Sequence, residues 1–152
     1  NIFYLQQVVT INIDITSDMM IKKFTNQVSE SLKECIELPN IRKYIEYNFN
    51  NNCKLYISSK SNKDDIINTL KHKNLYHFFN AIYGSENSKI EHFNKIMNIE
   101  NIQPNEILFF GDSKSDYDIA TEMNTNFIGI LTGREDLKYI DCKKIKDYAE
   151  LM

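Results

Sequence analysis

Apolar residues early in the chain recur at helical spacing. Met20, Phe24, Val28, Leu32 and Ile36 fall four apart and predict a helix over 17–37 with Ser17 as its cap. Pro39 ends that helix, and Asn40 is placed to cap a second one over 41–49. The asparagine run 50–52 predicts a turn. The pattern then changes. Short, largely apolar runs over 53–59, 80–84, 106–111 and 126–133 read as buried strands. Between them, 62–74, 88–100 and 113–124 read as helices, the middle one capped by Ser88. The tail, 135–152, is expected to be mainly helical with a short extended piece near Asp141.

Strands alternating with helices predict an α/β fold: a Rossmann-like parallel sheet with helices on both faces. Ligands in such folds bind beyond the carboxyl ends of the strands. The loops after 53–59, 80–84 and 106–111 are therefore the places to seek chemistry.

Composition narrows the classes. The chain has 152 residues, enough for one domain with a core, and its 42% hydrophobic and 26% charged residues are ordinary for a globular protein. A net charge of -3 provides no basic field for nucleic acid and no cationic face for a membrane. No apolar stretch approaches the ~20 residues of a membrane span, and the first ten residues lack a signal-peptide pattern. Cys35, Cys53 and Cys142 are odd in number and widely spaced, which predicts reduced thiols in a cytoplasmic protein. The many asparagines read as a property of the genome rather than of the chemistry. The chain does not begin with Met and is expected to be processed or incomplete.

Each strand end carries candidate residues. After 53–59 come Ser58, Ser59 and Lys60. A hydroxyl and backbone N–H groups at such a turn can hold a phosphate oxygen; locally, serines that merely cap the next helix are the commoner case. After 80–84, Lys89 sits in the first turn of a helix, against the helix dipole, which suggests an anionic partner. The commoner case for an isolated lysine is a solvated one. After 106–111 comes Gly111-Asp112-Ser113-Lys114-Ser115-Asp116. Gly111 is expected to allow a sharp turn. Asp112 and Asp116 then converge as an acidic pair suited to Mg²⁺, which takes a few carboxylates with water and phosphate. The alternative is that Asp112 caps the helix and Asp116 complements its dipole. An apolar strand running into G-D-x-x-x-D favours the metal reading.

These three loops, in this order, resemble the haloacid dehalogenase (HAD) superfamily, in its phosphoglycolate phosphatase and beta-phosphoglucomutase-like branch. LYISSKS looks like the second motif, with Ser59 as its hydroxyl residue. SKIEHFNKI looks like the third, with Lys89, although the prolines that usually follow are absent. ILFFGDSKSDYDIA looks like the fourth, with Asp112 and Asp116. The resemblance implies Mg²⁺-dependent hydrolysis of a small phosphorylated metabolite through an aspartyl-phosphate. Ser59 and Lys89 would be catalytic, Ser58, Ser59 and Lys60 would bind substrate, and Asp112 and Asp116 would bind the metal. The protein would act as a monomer or homodimer, without nucleic acid or membrane.

The family's first motif, D-x-D-x-T, supplies the nucleophile, and no D-x-D precedes Ser59. Two expectations follow. In the preferred one, residues 1–36 are a partial helical cap, 37–152 are the α/β core, and the nucleophile lies upstream of Asn1. In the other, VVTINIDIT is a degraded first strand in which Asn12 replaces the nucleophile and Asp14 keeps the second acid. That version would be a catalytically inactive domain binding a ligand or protein. A receiver-like signalling domain is a weaker alternative, because G-D-x-x-x-D falls late in the chain.

Overall fold

The structure, a computed structural model, describes residues 8–10 (backbone), 37–133 and 136–152. In chain order the regular elements are β1 (Val8–Thr10), α1 (Ile41–Asn50), β2 (Leu55–Ser58), α2 (Lys63–His72), β3 (Ala81–Tyr83), α3 (Lys89–Glu100), β4 (Ile107–Gly111), α4 (Lys114–Glu122), β5 (Asn126–Ile130) and β6 (Lys144–Ile145). The strands form one sheet in the order β3-β2-β1-β4-β5-β6, parallel throughout. The expected α/β architecture is therefore present.

The sheet's side chains alternate between two cores. On one face Leu55, Ile57 and Phe110 pack with Ile41, Tyr44 and Ile45 of α1, Ile66 and Leu70 of α2, and Tyr148. On the other, Tyr56, Ile107 and Phe109 pack with Phe93 and Ile96 of α3 and Ala120 of α4. A parallel sheet covered on both faces needs apolar residues on both, and the burial of all four β2 residues fits that need.

Four details depart from the sequence-based expectations. First, Val8–Thr10 pairs with β2 on one side and β4 on the other, so this part of residues 1–36 is the middle strand and not cap. The rest of that segment, including Asn12, Asp14 and the expected helix 17–37, lies outside the described residues up to Glu37. Second, the tail is not mainly helical: it supplies β6, and only residues 148–151 make a short 3-10 turn. Third, Asn40 precedes α1 but does not cap it with its side chain. Its amide donates instead to both carboxylate oxygens of Asp147, at 2.8 and 3.0 Å, tying the tail to α1. Fourth, the asparagines have a structural use. Asn52, Asn74, Asn101 and Asn124 follow α1, α2, α3 and α4 with positive φ. The next residue's N–H reaches back to a carbonyl in the last helical turn, at 2.9 Å for Cys53 and Thr125 and 2.8 Å for Leu75. Asparagine tolerates the left-handed conformation and here takes the position glycine usually fills.

Candidate functional site

The site is built from the carboxyl ends of β2 and β4, which flank β1, and from the helices that follow β3 and β4. At the end of β2, Ser58 and Ser59 are both buried. They do not cap α2. That role belongs to Asn62, whose side chain accepts from the N–H groups of Asp64 and Asp65. Ser59 instead shapes the turn: its hydroxyl accepts from the Ser61 N–H at 3.1 Å. Its own N–H donates to the Tyr83 carbonyl at 3.0 Å, and the Ser85 N–H donates to the Ser61 carbonyl at 2.9 Å. The loops after β2 and β3 are thus joined. Lys60 is exposed.

After β3 the chain enters α3 through a capping box. Ser88 accepts from the Glu91 N–H, and the Glu91 carboxylate accepts from the Ser88 N–H at 2.7 Å. The backbone N–H, with the Ser88 hydroxyl, holds the Glu91 carboxyl below its usual range. Lys89, the first helical residue, is not the solvated lysine of the commoner case. Its side chain is 3% exposed and its Nζ lies 2.6 Å from Asp116 Oδ1. It also stands 5.6 Å from the centroid of the Phe109 ring. A cation at a helix start works against the dipole; here a buried carboxylate offsets that cost.

After β4, the N-cap of α4 is Ser113 and not Asp112. Ser113 accepts from the Asp116 N–H at 3.2 Å and donates its hydroxyl to Asp116 Oδ2 at 2.7 Å. Asp116, third in the helix, does sit at the positive end of α4, but it is also bonded through both oxygens and buried. Gly111 does not make the expected sharp turn: it is the last residue of β4, and its φ is not positive. Its use is room. A Cβ at 111 would lie 2.4 Å from Asp116 Cβ and 2.9 Å from Asp116 Oδ2. Asp112 is 7% exposed, and its Oδ2 accepts from the Thr132 hydroxyl at 3.2 Å.

Lys89 and Asp116 therefore meet directly, while Ser59 and Asp112 end the two strands beside β1. Ser113, Thr132 and His92 join this region without having been singled out in the sequence. The S-x-x-D spacing of Ser113 and Asp116 signals a cap, and His92, three residues after Lys89, shares its helix face. Only the fold brings Thr132, after β5, to Asp112. Among the described residues, no group of three or more His, Cys, Asp or Glu side chains is placed to hold a metal, and no helix is long and apolar enough to cross a membrane. The two carboxylates are hard oxygen donors, a set that fits Mg²⁺ when water and phosphate complete the shell.

The haloacid dehalogenase-like hydrolase family model matches residues 4–130. Among solved structures, a HAD-superfamily hydrolase from Ehrlichia chaffeensis is 26% identical with a TM-score of 0.61, over 72% of this chain and 53% of that one. A beta-phosphoglucomutase from Clostridium difficile is 23% identical with a TM-score of 0.67, over 84% and 59%. A subfamily IA HAD hydrolase from Geobacter sulfurreducens is 13% identical with a TM-score of 0.72, over 96% and 97%. The chain thus spans between half and three fifths of the Ehrlichia and Clostridium proteins. No curated protein matches it.

Proposed function

Because the chain belongs to the haloacid dehalogenase-like hydrolases, we propose that this site binds Mg²⁺ and the phosphoryl group of a small phosphorylated metabolite, for hydrolysis of its phosphate monoester. A sugar phosphate or phosphoglycolate is an example of such a substrate. The observation that carries this reading is the buried Lys89–Asp116 pair, with buried Asp112 after β4 and buried Ser59 after β2, on either side of β1.

Asp112 is the candidate metal ligand, directly or through water, and Asp116 orients that shell while holding Lys89. Bound Mg²⁺ would draw charge from the phosphoryl oxygens. The Lys89 ammonium would stabilise negative charge that moves during transfer. Ser59, with neighbouring N–H groups, would hold a phosphoryl oxygen. Hydrolysis further needs a carboxylate nucleophile. Its oxygen bonds to phosphorus as the ester P–O bond breaks, the leaving oxygen takes a proton from an acid, and water then splits the acyl phosphate. In the first reading that carboxylate belongs to the intact protein, outside the described residues.

The place of β1 between β2 and β4 favours a second reading. The middle strand is then residues 8–10, and the sequence two residues beyond it is Asn12-Ile13-Asp14. An amide at position 12 cannot form an acyl phosphate, so the same site would bind its ligand without turnover. Release of phosphate from p-nitrophenyl phosphate, with and without Mg²⁺, separates the two. Turnover by the intact protein, lost in Asp112→Asn, supports the hydrolase. Turnover that appears only in Asn12→Asp supports the binding domain. If neither protein turns over and neither binds phosphate with Mg²⁺, both readings fail.

A further inference from the structure

Ser58 has no part in the site just described beyond its place next to Ser59, yet its surroundings are specific. Successive residues of a strand face opposite sides. Leu55 and Ile57 join the core beneath α1 and α2, whereas Tyr56 joins the core beneath α3 and α4. Ser58 follows Tyr56 toward α3, where its hydroxyl is fully buried and lies 2.8 Å from His92 Nδ1. His92 is buried as well, and its ring stacks on Tyr83 at 5.0 Å between centroids. It lies three residues after Lys89, on the same face of α3. The first turns of α3 are therefore fixed at two points. Lys89 holds α4 through Asp116, and His92 holds β2 through Ser58. A buried hydroxyl that loses its partner is costly, so this bond fixes the relative position of the two elements.

We propose that His92 is a positioning residue: through Ser58 it sets the end of β2, and with it Ser59, against the helix turn that carries Lys89, so that both reach one phosphoryl group. The inference rests on the phosphate-binding reading of Ser59 and Lys89. It also gives a use to a residue standing in a stretch where the family's prolines are absent.

The Ser58–His92 bond can form with Nδ1 as acceptor or as donor, according to the tautomer, in a packed setting. Burial, above all, lowers the His92 pKa from its usual 6.5. Glu86 and Glu91 oppose that shift, while Lys89 and Lys95 add to it. The other elements packed here present the Ser58 hydroxyl and the Tyr83 ring. Protonation would place a second cation one turn from Lys89.

The test is calorimetric titration of inorganic phosphate into the full chain with saturating Mg²⁺, for the native protein, His92→Leu, His92→Asn and Ser58→Ala. His92→Leu and Ser58→Ala are expected to weaken phosphate binding about tenfold, the size of one lost buried hydrogen bond. Their Mg²⁺ affinity without phosphate should stay near native. An asparagine amide can reach the Ser58 hydroxyl as Nδ1 does, so His92→Asn should bind phosphate nearly as well as the native protein. Native-like phosphate binding by Ser58→Ala overturns the proposal, as does equal weakening in His92→Asn and His92→Leu. Ser58→Ala removes only a hydroxyl and keeps the test open if His92→Leu fails to fold. If the native protein binds no phosphate with Mg²⁺, the site reading itself fails, an outcome distinct from native binding that the variants leave unchanged.

Discussion

Lys89–Asp116 and Lys114–Asp118 are both lysine–aspartate pairs with 2.6 Å between nitrogen and oxygen. The first joins the starts of two helices across the fold, with side chains 3% and 1% exposed. The second spans one turn of α4, with side chains 66% and 55% exposed. Distance does not separate them. In water an ion pair gives back little more than the solvation it displaces. Away from water, each charge depends on its partner, and such a pair is often no more stabilising than apolar residues of the same size. Retaining one at the carboxyl edge of a parallel sheet, beside Asp112, is what points to a role in handling a charged ligand.

The contrast can be broken from its strong side. Lys89→Met keeps most of the side chain's bulk but leaves the Asp116 carboxylate buried without its cation. Urea denaturation should show a loss of about 3–5 kcal/mol, and reversion toward native stability is expected when Asp116→Asn is added. A stability loss below about 1 kcal/mol would mean that water already reaches this pair.

Gly111→Ala attacks the same pair by crowding. The new Cβ would overlap Asp116, so the carboxylate must move off the strand end. A loss of about 1–3 kcal/mol is expected, together with weaker Mg²⁺ binding measured by titration. Full stability with native Mg²⁺ affinity would show that Asp116 has room elsewhere.

The pH dependence sharpens the buried side further. His92 has its pKa lowered from 6.5 on folding, chiefly by burial. The unfolded chain therefore takes up the proton first as pH falls. Stability linked to His92 is present in full above 6.5 and is lost as pH falls toward the lowered value. Denaturation free energies measured between about pH 7.5 and pH 5 should decline more steeply for the native protein than for His92→Asn. Parallel profiles would remove His92 from the account.

Lys114→Met gives the smallest effect. The exposed pair should contribute less than about 0.5 kcal/mol, within the range of one-turn helix pairs. Mg²⁺ and phosphate affinities should not change.

Much of this arrangement was legible in the sequence, for identifiable reasons. Four apolar runs bounded by polar residues revealed β2, β3, β4 and β5, because a strand buried on both faces has no polar positions to disguise it. The three loops with Ser59, Lys89 and Asp112 followed from that order. The short extended piece expected near Asp141 is β6, a few residues further on; with two residues and a start at Lys144 it leaves no apolar run to fix its bounds. The helix-ending role of Asn52, Asn74, Asn101 and Asn124 was hidden by their abundance, although each stands just past the last periodic residue of its helix. Gly111 looked like a turn residue and instead makes space for Asp116, a contact visible only once α4 is packed on β4. The Lys89–Asp116 bond joins residues 27 apart, and local pattern favoured an exposed lysine. Pairing across the sheet likewise decided the place of Val8–Thr10, which one expectation put in a cap and the other in a degraded first strand.

The central claim is that Asp112 anchors a Mg²⁺-dependent phosphate site. Its most direct test is calorimetric titration of Mg²⁺ into the native protein and into Asp112→Asn, in the presence of inorganic phosphate. The native protein should bind Mg²⁺, and the variant, which keeps the shape but loses the charge, should bind it at least about tenfold more weakly. Equal affinity in the two proteins would contradict the claim.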